Sequence, residues 1–326
     1  MSLQMRVGLG QFNELTDEKL IFIKQMGCDD FLMNTPQLPG DKQWEYEDLA
    51  SYKARADAAE LRLMALENVP LPFYNKIMLG QDGRDEQLQH MVNTVRNMGK
   101  AGIPILGYHW IPNSVWRTPK PATLRGGARG TRFALAEHDP DELTHGRVFT
   151  HDEMWANYSW YLERILPIAE EANVRLALHP DDPPTGTTLG GIARICSSFD
   201  DFKRNMDTFD SHHHGLDFCM GCWSEMGGHD NVIRAVRHFG GQGKIIYIHF
   251  RDVIGPVDDF HETFIDCGQV DTFEVVQVLK EVGFDGFMIT DHVPHVVEDS
   301  PWGHRGRAHC VGFMQALIQV ANKLSA

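Results

Sequence analysis

No stretch of the 326-residue chain approaches the ~18 consecutive apolar residues a membrane-spanning helix needs. The N-terminus lacks the basic and apolar segments of a secretory leader, and its opening "MSLQ" is given no structural role. Basic residues are scarce: 30 Lys and Arg stand against 45 Asp and Glu, a formal net charge of −15. That argues against nucleic acid or anionic lipid as the main partner, since both need a basic face. An anionic small substrate stays open, because a pocket sets its own field. Cysteines number six without close even spacing, which excludes a disulfide scaffold and fits a cytoplasmic protein with reduced thiols. The single CxxC, Cys219 and Cys222 in "FCMGC", has no second pair to complete a zinc knuckle. A glycine-rich phosphate loop is also missing: "GLGQFNEL" does not match GxGxxG after the first strand.

What is present is alternation. Short β-like runs at 5–10, 29–34, 62–68, 104–110, 174–180, 214–220, 244–250 and 284–292 alternate with helical patterns near 16–27, 44–61, 83–101, 152–172, 199–209, 230–239, 271–282 and 306–324. Thr16 reads as an N-cap without a capping box, Asp271 as the N-cap of the seventh helix, and Gly27, Gly102, Gly240 and Gly283 as helix ends. Strict alternation implies a parallel sheet, and eight units close most naturally into a (β/α)8 barrel with no free edge. Residues 1–326 are expected to form one such domain. The helix-to-strand links are short, whereas the strand-to-helix links are long at 111–151, 180–198, 253–270 and 293–305. In a barrel those long loops share the face that carries active sites.

Four consecutive later strands end in metal-compatible side chains: His179, Cys219, His249, and then Asp291 with His292. A lone histidine at a strand end is ordinarily a hydrogen-bonded structural residue, and a lone cysteine a small core residue. Four on adjacent strands, about 4.8 Å apart, can instead converge on one transition metal. Strand alternation puts Tyr247, His249 and Arg251 on one side, so Arg251 stands near the site with a donor fork suited to a carboxylate, unless it pairs with Asp252 or another acid. Glu67 and Asn68 end the third strand and His109 the fourth, where they reach substrate hydroxyls or solvate the rim. "FHE" at 260–262 reads as a polar loop cluster. Asp291 and His292 are neighbours, so both serve one site only where the strand bends.

"LALHPDDPP", "FCMG", "IHFRDV", "FHET", "GQVD" and "ITDHVP" resemble the D-mannonate dehydratase family, within the xylose-isomerase-like barrels. The likeness runs from about residue 5 to the last helix. It implies a divalent metal, typically Mn²⁺, and loss of water from D-mannonate to give 2-keto-3-deoxy-D-gluconate in hexuronate catabolism. Carried onto this sequence, it implies His179, Cys219, His249 and Asp291 as ligands, His292 as the catalytic acid/base and Arg251 as a substrate contact. The family places a tyrosine before the last helix. Here the segment reads "SPWGHRGRAH", which makes His304 the candidate replacement donor. A thiolate ligand also suits Fe²⁺, Co²⁺ or Zn²⁺. Two other readings stand beside this one: an isomerase or epimerase of the same barrels acting on a neutral sugar, and a non-catalytic sugar-acid binder. Oligomeric state, including a homo-oligomer, is left open.

Overall fold

The computed structural model describes residues 5–324; the opening "MSLQ" lies outside them. Eight strands close into a parallel barrel: Arg6–Leu9, Asp30–Asn34, Arg62–Glu67, Ile105–Tyr108, Arg175–Leu178, His214–Cys219, Ile245–His249 and Phe287–Ile289. Each strand pairs with its sequence neighbours, and the first closes on the last through Val7 and Met288. The expected (β/α)8 architecture is therefore the observed one. No helix among the described residues is long and apolar enough to cross a membrane.

Two layers of core hold the barrel. Inside, Leu32, Ala65, Ile105, Ala177, Tyr247, Phe287 and Ile289 pack together, with Tyr247 stacked on Phe287 at 5.3 Å between ring centroids. The larger core lies between strands and helices. Gly107 is required by a close approach: a Cβ there would collide with the hydroxyl of Tyr247. That hydroxyl donates to Asp217 Oδ2, on the neighbouring strand, at 2.9 Å.

Three local expectations need correction. The sixth helix begins at Met220, straight out of its strand, and runs to Ala235 with a break at Gly227 and Gly228. The sequence pattern places this helix near 230–239. Gly240 lies inside a wide π turn, Val236–Gly240, and the left-handed residue that follows is Gly243, at φ 67°. "FHE" is no loop: Asp259–Glu262 pairs antiparallel with Arg132–Ala134 and with Val253–Ile254. This small sheet, built from two of the long loops, packs through Phe133, Leu189, Val253 and Phe260 and carries Glu262 to the barrel mouth. Thr16 and Asp271 do cap their helices, accepting from Lys19 N and from Phe273 N and Glu274 N.

Candidate metal centre

Parallel register brings the donors together. His249 lies level with Cys219 on one neighbour and with Ile289 on the other. His179 directly follows Leu178, which pairs with Leu216. Asp291 and His292 lie beyond the last strand, which ends at Ile289, so strand alternation does not separate them and both line one cavity. Arg307 from the last helix fixes this segment, donating to Thr290 Oγ1 at 2.8 Å and to the Asp291 carbonyl at 3.0 Å.

The ligand atoms of Cys219, His249 and Asp291 lie within 4.8 Å of one another, as do those of His179, Asp217 and His249, and those of His179, Cys219 and Cys222. The four expected ligands are thus joined through shared members. Asp217 and Cys222 were not foreseen. Asp217 sits inside the barrel two residues before Cys219, on the same strand face, and alternation alone could have found it. Cys222 stands in the first turn of a helix capped by Cys219, a position hidden while that helix was placed ten residues later.

The electrostatics favour a cation. Glu67, Asp217, Cys219 and Asp291 are all buried around His249. Burial resists charge on Glu67, yet His249, His179 and Gln11 hold it down to about 2. Burial pushes Asp217 up to about 8 against the pull of the same two imidazoles. Burial also opposes ionisation of Cys219, but the Cys222 thiol, Arg251 and the imidazoles hold it well below the usual thiol range. Its place at a helix N-terminus acts in the same direction. His179 Nδ1 lies 2.6 Å from the Pro180 carbonyl; that contact needs a proton on Nδ1 and leaves Nε2 free as a ligand. His249 Nε2 meets Glu67 Oε2 at 2.8 Å, while its buried Nδ1 has no hydrogen-bond partner and stands 3.7 Å from Asp291 Oδ2. An orphaned imidazole nitrogen among carboxylates and a thiolate fits a transition metal.

A sequence profile of the D-mannonate dehydratase family (UxuA) matches residues 5–148 and 141–326. The chain belongs to this family. Among curated relatives, the mannonate dehydratase of Thermotoga maritima is 28% identical over 307 residues, covering 83% of this chain and 82% of its own. That of Streptococcus pneumoniae is 28% identical over 282 residues, covering 78% and 76%. Among solved structures, the mannonate dehydratase from Streptococcus suis serotype 2 superposes with a TM-score of 0.89 at 24% identity, over 100% of this chain and 95% of that one. A D-tagatose 3-epimerase-like protein shares the barrel at a TM-score of 0.66 and 14% identity, over 99% and 100%. Membership in the mannonate dehydratase family implies a divalent metal, and the donors described above fit one.

The remaining expected residues divide. His292 lines the cavity, with Nδ1 2.8 Å from Glu262 Oε1. Desolvation works against its charged form, but Asp291 and Glu262 raise its pKa above the ordinary value. Glu67 and His109 also line the cavity. His109 Nδ1 accepts from Ile111 N at 3.2 Å, and burial with nearby His179 lowers its pKa to about 4, so it faces the site as a neutral ring. Arg251 takes the ion-paired alternative. Its guanidinium is buried and committed: to Asp291 at 2.7 Å, Glu225 at 3.0 Å, Asp182 at 3.1 Å and Cys222 at 3.2 Å. It does not pair with Asp252; its donors are engaged by these other partners. His304 lies away from the other candidates. As the first residue of the last helix, it packs against Phe22 and Trp302 and pairs with Glu18 and Ser300. The loop folds back onto the first helix, so His304 is outside the cavity lining.

Proposed function

We propose that this chain, acting as one barrel unit, removes water from D-mannonate to give 2-keto-3-deoxy-D-gluconate. The metal is Mn²⁺, held by His179, Cys219, His249 and Asp291; the thiolate also admits Fe²⁺, Co²⁺ or Zn²⁺. The observation that carries this reading is the meeting of His179, His249 and Asp291 with His292 in one cavity, with the ligand atom of Cys219 within 4.8 Å of those of His249 and Asp291. A bound divalent metal supplies a positive charge that stabilises negative charge developing on the substrate's oxygens beside C2. His292 does the proton work. Held at Nδ1 by Glu262, it takes the C2 proton and returns it to the C3 hydroxyl, which leaves as water when the C3–O bond breaks. The enol left behind becomes the ketone by moving its hydroxyl proton to C3 through solvent. With His304 remote and no tyrosine in that segment, one histidine serves both transfers. Glu67 and His109 contact the substrate's hydroxyls. Six unpaired cysteines, five of them buried, support a reducing, cytoplasmic setting.

The test is purified protein with D-mannonate, with and without Mn²⁺, scored for the 2-keto-3-deoxy product. Product should require metal, and His292→Asn should keep the metal while losing about 10²–10⁴-fold in turnover. Product from other sugar acids alone would overturn the substrate; none from any would overturn the dehydratase reading.

A further inference from the structure

The cavity over the metal donors has a volume of about 70 Å³, far below the ~300 Å³ at which small-molecule pockets begin. It holds the reacting end of a six-carbon acid and no more. A second, open chamber of about 460 Å³ adjoins it, and the two share Gln11 and Asn34. These two amides form the partition between them: Asn34 Nδ2 donates to Gln11 Oε1 at 2.7 Å, and Gln11 Nε2 to Glu67 Oε1 at 2.9 Å. A substrate that extends from the inner cavity into the outer chamber passes this partition.

The outer chamber is walled by Phe12, Asn13, Lys19 and Trp302. Trp302 is fixed there, its indole N–H donating to the Gln11 carbonyl at 3.1 Å. The Lys19 ammonium stands 5.7 Å from the Phe12 ring centroid and 5.6 Å from that of Trp302. Among the described residues it has no carboxylate partner within 4.0 Å, although the chain carries a net charge of −15. Aromatic faces pack on the carbon face of a polyol, amides bind its hydroxyls, and an uncommitted ammonium attracts an anion.

We propose that the outer chamber is the subsite for the end of the sugar acid remote from the reacting carbons, and that Lys19 selects acids whose far end is negatively charged. This inference rests on the sugar-acid reading of the inner cavity. The charged end is a carboxylate or a phosphate ester, and separate probes distinguish them. D-Mannarate replaces the terminal CH₂OH of mannonate by a carboxylate. Its two ends are related by symmetry, so either end entering the inner cavity presents the mannonate configuration. D-Mannonate 6-phosphate carries the phosphate instead.

The experiment is titration calorimetry of the Mn²⁺-loaded protein with mannonate, mannarate and mannonate 6-phosphate, for the parent, Lys19→Gln and Lys19→Arg. At least one of the two probes charged at both ends should bind about tenfold tighter than mannonate. Lys19→Gln should abolish that preference while weakening mannonate about twofold, and Lys19→Arg should restore it. Equal losses for all three probes, no loss for any, or no binding of any probe to the parent would overturn the subsite. Product formation is scored separately. Lys19-dependent binding without a keto-deoxy product leaves the subsite standing and removes the dehydratase reading.

Discussion

Arg251 Nε donates to Asp291 Oδ2 over 2.7 Å, and both side chains are buried. The same guanidinium serves Glu225, Asp182 and Cys222, and a second arginine, Arg117, shares Asp182 and Glu262 with it. Removing Arg251 leaves several buried carboxylates uncompensated. Arg251→Met should therefore destabilise by about 3–5 kcal/mol, the cost of breaking a buried ion pair. Arg251→Lys should fold better yet hold metal weakly, because a point charge cannot orient Asp291 and Glu225 together. Gly221→Ala should act from the other side, since its Cβ would stand 2.5 Å from Arg251 Nη1. Denaturant unfolding and metal content check all three; unchanged metal content in Arg251→Lys would show that Asp291 needs no bracing.

The two cysteines of "FCMGC" should behave differently. Cys219 is level with His249 and its pKa is held well below the ordinary thiol range, whereas burial and the neighbouring Cys219 raise Cys222 well above it. Cys219→Ser should lower metal affinity by about tenfold or more, because a hydroxyl is a poor replacement for a thiolate ligand. Cys222→Ser should keep metal within a few-fold, retaining a donor and acceptor beside Arg251. Competition with a chelator measures both, and the reverse order would exchange their roles.

His304→Phe should leave dehydration within a few-fold of the parent, since the ring packs against Phe22 and Trp302, away from the inner cavity. Loss of turnover with bound metal retained would return His304 to the mechanism.

Acid should weaken the fold through His214. This buried imidazole sits at the start of the sixth strand, Nδ1 3.2 Å from the Phe209 carbonyl and Nε2 3.1 Å from the Tyr108 hydroxyl. The first contact needs a proton on Nδ1, so Nε2 accepts. Burial pushes its pKa from 6.5 down to about 4. A lowered folded-state pKa means the stabilisation is complete above the unfolded value of 6.5 and is lost as pH falls towards 4. At ~1.4 kcal/mol per unit, the contribution is on the order of 3 kcal/mol. Urea unfolding of the parent and His214→Gln between pH 7 and 4 should show a flatter pH dependence in the variant; parallel curves would rule His214 out.

Much of the barrel was legible because period-two and helical patterns alternate without interruption and the loops lengthen on one side only. The convergence of His179, Cys219, His249 and Asp291 was legible because a parallel barrel delivers its strand ends to one face. What was hidden depends on contacts between distant segments. The pairing of Arg132–Ala134 with Asp259–Glu262 brings Glu262 to His292 and Arg251, and no local pattern announces it. The acids that pair with Arg251 could not be named because Asp182 and Glu225 lie on other elements. His304 read as a rim donor because the loop before it gives no sign of folding onto the first helix. Helix onset at Met220 was masked by Gly227 and Gly228, which break the helix rather than precede it.

The most direct test of the account is the metal content of His249→Ala beside that of the parent, each assayed with D-mannonate. His249 belongs to two of the four candidate donor groups among the described residues. The parent should hold one divalent metal per chain and form 2-keto-3-deoxy product. The variant should lose both the metal and the product while keeping its circular dichroism spectrum. Equal metal in the two proteins, or product formed without metal, would contradict it.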